Sequence, residues 1–272
     1  MTELLIESEA NARFKRWRRL AGESRAVKKE GATLLEGIHL MQVVRDSEAA
    51  VSAVMLDAER ATAEARALAR ETAATKGARL YLLPPALYDQ LSPVEHGVGV
   101  MCEMTLPAAP DPARWAGSDV LYLDGVQDAG NAGTLIRTAV AAGVRVILAS
   151  PTAVNLWTPK VMRAAMGAHF GAVIAEGVTA DTLARVYRGT VLAADARGGE
   201  DLFQASDGYA AGPVAWIMGA EGPGVSEAAL AVTHRRFYIP IEAACESLNV
   251  AAAAAVCLFD MRRRRLGGTE LQ

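Results

Sequence analysis

The chain is poor in cysteine, lysine and aromatic residues, and each shortage narrows what it can be. Three cysteines in 272 residues, Cys102, Cys245 and Cys257, are too few and too scattered for a disulfide framework, and no CxxC pair suggests a metal site. All three are expected to be reduced and buried, and no metal is expected. No apolar run reaches the roughly 18 residues that a membrane-spanning helix needs. The first ten residues, MTELLIESEA, are acidic where a secretory signal would be basic. A cytoplasmic protein without a membrane partner is expected. Neither GxGxxG nor GxxxxGK[ST] occurs, which removes the usual dinucleotide and P-loop fingerprints. Internal repeats and low-complexity tracts are also missing, although alanine is abundant.

What is present is an ordinary globular composition, with 51% apolar and 22% charged residues, and enough chain for one large domain or two modest ones. A net charge of −3 hides an uneven distribution. Of 28 basic residues only five are Lys, and the segment Arg13 to Lys29 holds eight basic residues against the single acid Glu23. A second basic cluster spans Arg262 to Arg265. Such asymmetry fits a polyanionic partner; a solvated helix face is the alternative.

From Ser8 to Ala21 the residues Ala10, Phe14, Trp17 and Ala21 fall at helical spacing with Arg and Lys between them, which reads as a basic amphipathic arm capped by Ser8 and ended by Gly22. From Gly31 to Met104, apolar runs and helical patterns alternate as in a compact α/β unit. The stretch Leu106 to Gly117, LPAAPDPARWAG, carries three of the 11 prolines and marks a boundary. Beyond it, strands expected at Asp119 to Leu123, Arg145 to Ala149, Ala172 to Ala175, Val191 to Ala194, Val214 to Met218 and Arg236 to Ile241 alternate with helices. These helices are placed at Asn131 to Ala142, Lys160 to Met166, Asp181 to Tyr187 and Ser247 to Arg264. That rhythm predicts a parallel sheet covered on both faces. The last helix, apolar almost all round, is expected to be buried.

Ligands of open parallel sheets bind beyond the carboxyl ends of the strands, so the loops there carry the information. Three stand out. In the first, Leu123 to Arg137, Asn131 is placed to cap the helix, and Arg137 leans back over Gly133 so that the two side chains can converge; an ordinary glycine-rich turn with a surface Arg is the alternative. In the second, Ile217 to Ser226, three glycines let the backbone approach a ligand closely around Glu221. In the third, Tyr238 to Val250, Ser247 and Asn249 stand at the start of the apolar helix, and capping it is the favoured reading of either residue taken singly.

Together and in this order, the three loops resemble the SpoU (TrmH-like) branch of the SPOUT RNA methyltransferases: an Asn and an Arg six apart, a G-x-E-x-x-G turn, then a segment like I-P-M-x-G-x-x-x-S-L-N-V, here Ile239 to Val250. The likeness runs from Val120 to Arg264. Upstream, the basic segment and Leu34-Leu35-Glu36-Gly37 resemble the family's small RNA-binding domain, and His96 to Val100 matches its closing strand more loosely. Ala243 stands where the family has Gly, Ile241 where it has Met, and Ala251 where a Ser is common.

The resemblance implies an α/β protein. Its C-terminal parallel-sheet SPOUT domain, 119–272, would hold a deep trefoil knot; a linker at 106–118 and an RNA substrate-binding domain at 1–105, with its basic N-terminal helical arm, would precede it. It implies a homodimer that transfers a methyl group from S-adenosyl-L-methionine to a ribose 2′-hydroxyl of rRNA or tRNA. Gly219, Ile239 and Leu248 would hold the cofactor by their backbones, and Arg137, Asn131, Glu221, Ser247 and Asn249 would form the catalytic set. No His falls in the motifs, and His39, His96, His169 and His234 are read as structural. A non-catalytic RNA-binding protein on the same fold, and a doubly wound enzyme for a small nucleotide, are the alternatives.

Overall fold

The computed structural model describes residues 3–92, 94 and 97–267. The chain divides into two compact units, 1–108 with 157–170, and 109–156 with 171–272.

The first unit is built from β1 (Glu3–Leu5), α1 (Ala12–Gly22), α2 (Ser24–Glu30), β2 (Ala32–Glu36), α3 (Ile38–Asp46), β3 (Val51–Asp57), α4 (Ala63–Lys76), β4 (Arg79–Leu83), α5 (Pro85–Leu91) and β5 (Val100–Thr105). They form a five-stranded sheet in the order β1-β4-β3-β5-β2, with β5 antiparallel to both its neighbours. Alternation along β3 sends Ala53 and Met55 into one apolar layer and Val54 and Leu56 into the other. The second of these layers also takes in Met162, from the short helix Pro159–Ala164. That helix, expected within the C-terminal domain, therefore belongs to the first unit.

The basic segment is an integral helix of this unit and not an arm. Phe14, Trp17 and Leu20 are fully buried, each contributing about 1.5–3 kcal/mol. Asn11, not Ser8, caps α1, its side chain accepting from the amides of Arg13 and Phe14, and Glu23 follows Gly22 as the C-cap. The Trp17 indole donates to the buried Glu103 (2.7 Å), which also pairs with Arg16. Arg19 and Arg16 both reach Glu30. Lys15, Arg25, Lys28 and Lys29 stay exposed and pair with no described carboxylate.

The second unit holds β6 (Val120–Asp124), α6 (Ala129–Ala141), β7 (Val146–Ala149), β8 (Val173–Glu176), α8 (Ala180–Val186), β9 (Thr190–Ala194), β10 (Glu200–Asp201), β11 (Val214–Gly219), α9 (Glu227–Ala231), β12 (Arg235–Tyr238) and α10 (Val250–Gly267), the Pro159–Ala164 helix being α7. Its seven strands run β10-β12-β9-β11-β6-β7-β8, all parallel. β6 and β11 are buried along their whole lengths, as apolar strands covered on both faces must be. Trp115, from the proline-rich stretch, is 1% exposed and packs in this unit's core with Val120 and Tyr122.

Helix α10 departs from expectation: only one stripe, Ala251, Ala254, Cys257, Leu258, Met261 and Arg264, is buried, while Phe259 and Leu266 are 46% and 60% exposed. Cys245 is exposed because it lies in the irregular loop after β12, whereas Cys102 and Cys257 are buried; burial pushes the Cys102 thiol up to about 12. No described helix is long and apolar enough to cross a membrane. His96 lies outside the described residues.

Candidate active site

Four strands of the second unit, β6, β11, β9 and β12, end side by side, and the loops that leave their carboxyl ends build the site. The turn after β11 is closed by a bridge between Ala220 and Gly224, whose amides donate to each other's carbonyls (3.1 and 3.0 Å). Gly219 sits where this turn folds back on the strand: a Cβ there would lie 2.2 Å from the Gly224 carbonyl carbon and the Val225 nitrogen. The buried Asp124, at the end of β6, accepts from the Ser226 amide (2.7 Å) and fixes the far side of the turn.

This frame points Glu221 at α6. The helix starts two residues earlier than its pattern suggested, because Asp128 caps it by accepting from the Asn131 amide (2.7 Å). Asn131 is thereby released from capping. Its Nδ2 donates to Glu221 Oε1 (2.9 Å), and its Oδ1 accepts from Asn249 Nδ2 (3.0 Å). Asn249 in turn caps α10, its Oδ1 accepting from the amides of Ala251 and Ala252 (2.9 and 3.4 Å). One orientation of each amide satisfies every link, so an unbroken donor chain runs from the positive end of α10 through two asparagines to a carboxylate. All three sequence motifs meet in it.

Beside the chain lies a cavity of about 330 Å³, within the range of small-molecule sites. Its walls include Gly219, Glu221, Ile239, Ser247, Leu248 and Asn249. Met218, Phe237, Ile241, Val250 and Ala253 add apolar surface. The backbone amides of Ile239 and Leu248 donate to no other described residue, so they are available to a ligand. The Ser247 side chain also has no described partner; its carbonyl accepts from the Cys245 thiol (3.2 Å). Ala243 is not among the described residues with positive φ, so this departure from Gly carries no left-handed strain.

Arg137 is not drawn into this network. It is exposed on α6, bonds neither to Asn131 nor to any other described residue, and is absent from the cavity wall. Sequence reasoning also missed a group after β9. Asp195 is 5% exposed and accepts from Arg197 through both carboxylate oxygens (2.9 and 3.2 Å) and from Arg236 (2.7 Å). Burial alone would raise its pKa, but the bonds from Arg197 and the charge of Arg236 hold it below the usual carboxylate range. Arg197 also donates to the Val225 carbonyl (2.7 Å). The available signal was a fourth loop at a strand's carboxyl end, Asp195 to Gly199. No described histidine lines the cavity: His39 meets the Met166 carbonyl (3.1 Å), His169 is buried, and His234 accepts from the Val191 amide (2.8 Å).

Comparison with known proteins agrees with this geometry. The profile of the SpoU rRNA Methylase family matches residues 119–259. The 23S rRNA (guanosine(2553)-2'-O)-methyltransferase RlmP of Bacillus subtilis is 30% identical over 273 residues, covering 94% of this chain and 98% of its own. The 23S rRNA (guanosine-2'-O-)-methyltransferase RlmB of Bordetella pertussis is 36% identical over 154 residues, 54% of this chain and 60% of its own. Among solved structures, an AdoMet-bound rRNA methyltransferase from Sinorhizobium meliloti superimposes with a TM-score of 0.83 at 24% identity, covering 96% of this chain and 98% of the other. The SpoU methyltransferase AviRb from Streptomyces viridochromogenes gives 0.82 at 23%, covering 94% and 98%. Both share the fold across both units, and with the profile spanning the sheet that carries all three motifs, the chain belongs to the SpoU rRNA methylase family.

Proposed function

We propose that this chain is an RNA 2′-O-methyltransferase that uses S-adenosyl-L-methionine and acts on a ribose of rRNA, the RNA class named for its full-length relative. The observation that carries this reading is the hydrogen-bonded chain Asn249–Asn131–Glu221 at the rim of a partly apolar cavity whose Ile239 and Leu248 amides donate to no described residue. The residues present fit the cofactor. Ile239 and Leu248 would offer their amides, Met218, Ile239 and Leu248 an apolar slot, and Gly219 the absence of a Cβ. When bound, the cofactor supplies a methyl group on a sulfonium, which needs no metal to be transferred.

The chain's own part is orientation. Glu221, Asn131 and Asn249 fix the turn and the loop on two sides of the cavity, holding its shape before the RNA arrives. Ser247 lends an unengaged hydroxyl at the wall. Arg137 is too weak an acid to serve as a base, and its free guanidinium suits a phosphate and a forming alkoxide. Calorimetry with S-adenosylhomocysteine in metal-free buffer is expected to show binding, and mapping of 2′-O-methylation across total RNA is expected to reveal one ribose lost in a deletion strain. No binding together with an unchanged map would overturn the reading.

The trefoil knot is part of the proposal. It is supported by a strand order in which β11 and β12 slot back between strands laid down earlier. In this reading RNA binding falls to the first unit and catalysis to the second, in the cytoplasm. Deleting residues 1–22 would strip Phe14, Trp17 and Leu20 from a core and so cannot test RNA binding. Lys15, Arg25, Lys28 and Lys29 are exposed, so replacing them by Gln is expected to spare the fold and to flatten the salt dependence of RNA binding, by about 0.7–0.9 in slope for each phosphate no longer neutralised. An unchanged slope would make these charges a solvated face.

A homodimer is proposed through the outward side of α10, where Phe259 and Leu266 stand exposed and line one surface groove with Arg262 and Arg263. Sedimentation at micromolar concentration is expected to give twice the single-chain mass of 28.7 kDa. A Phe259→Glu chain is expected to sediment as the monomer.

A further inference from the structure

We infer that Arg197 anchors the carboxylate of the methyl donor and thereby sets which adenosyl compounds this site accepts. The inference rests on the cofactor reading above. The cavity wall carries three ionisable side chains, Asp195, Arg197 and Glu221, so Arg197 is the one cation among its lining residues. The methyl donor ends in an ammonium and a carboxylate. Glu221 and Asp195 are of the wrong sign for the carboxylate, which leaves Arg197.

Geometry prepares the guanidinium for this task. Asp195 takes its Nε and Nη2, the Val225 carbonyl takes Nη2 a second time, and Nη1 has no partner among the described residues. Its position is therefore fixed by the protein, and the free end is the end left for a ligand. Arg236 binds the same Asp195 carboxylate at 2.7 Å, so Asp195, Arg197 and Arg236 together keep one net positive charge, which the nearby Glu227 offsets in part. Arg197 also lies along the turn that holds Glu221, its Cζ 3.8 Å from where a Cβ on Gly224 would stand. With its side chain 47% exposed, the pair it forms is partly screened, so a moderate, salt-dependent preference is expected.

A purely structural brace between the β9 loop and the turn would leave the same contacts, and ligand chemistry separates the two roles. Calorimetry compares S-adenosylhomocysteine with its decarboxylated counterpart, which keeps the adenosine, the thioether and the amine. The parent protein is expected to prefer S-adenosylhomocysteine about ten-fold at low salt. Arg197→Gln is expected to lose that preference while binding the decarboxylated ligand as the parent does, and Arg197→Lys to keep part of it. Equal affinity of the parent for the two ligands, or an equal loss of both in Arg197→Gln, would overturn the anchor and leave the brace. Because the first comparison uses the unaltered protein, a variant that fails to fold does not shelter the inference. Binding of neither ligand by the parent would overturn the cofactor reading itself, a distinct outcome.

Discussion

An Arg137→Ala protein is expected to bind S-adenosylhomocysteine as tightly as the parent and to melt at the same temperature, yet to transfer methyl groups roughly 10² times more slowly or worse, the scale of losing one oxyanion-type donor. The first half follows from position. Arg137 is exposed, bonds to no described residue and does not line the cofactor cavity, so its removal leaves no buried group unpaired. The second half follows from chemistry, since a guanidinium held by no described residue is free to grip a phosphate and the oxygen that receives the methyl. Arg137→Lys keeps the charge but not the planar fork and is expected to recover only part of the rate. Single-turnover rates on the identified RNA check this. A Lys enzyme as fast as the parent would mean that charge alone, or a base of lower pKa, suffices.

The parts of the fold that could be read from the chain are those where pattern and packing coincide. β7, at Val146–Ala149, lies within the strand expected at Arg145 to Ala149, and the buried strands β6 and β11 read as plain apolar runs. What escaped notice was short or depended on distant partners. β1 and β10, of three and two residues, are defined by the strands they pair with, and carry too little pattern of their own. In α1 the spacing of Phe14 and Trp17 was legible, but spacing cannot say whether an apolar stripe is covered, and charge on the other faces suggested an arm. At α6 two capping residues compete within four positions. Asp128 takes the cap, and that choice alone turns Asn131 from a local cap into the link between Glu221 and Asn249. Arg236 reaches the local Asp195–Arg197 pair only when β12 pairs beside β9, a pairing that no local signal announces.

The turn after β11 yields the other large expected effect, because its three glycines serve for different reasons. Gly222 has nothing within 4 Å of a would-be Cβ and no positive φ, so Gly222→Ala is expected to change stability little. Gly224 has φ +73°, which costs a residue with a side chain about 1 kcal/mol or somewhat more. Gly219 is constrained by space: its Cβ would stand 2.2 Å from two backbone atoms of the returning turn, and neither can rotate away as a side-chain tip would. Gly219→Ala must therefore push the turn off β11, breaking the Ala220–Gly224 bridge and the Ser226–Asp124 bond together. A loss of about 3 kcal/mol is expected, the upper part of the overpacking range. In a unit of this size that lowers the melting temperature by roughly 6–12 °C. Since the same displacement swings Glu221 away from Asn131 and opens the cavity wall, affinity for S-adenosylhomocysteine is expected to fall at least ten-fold, and calorimetry beside a thermal melt reads both. A Gly219→Ala protein with parental affinity would show that the turn can give way without disturbing the cavity, and that the backbone at 219 does not hold the cofactor.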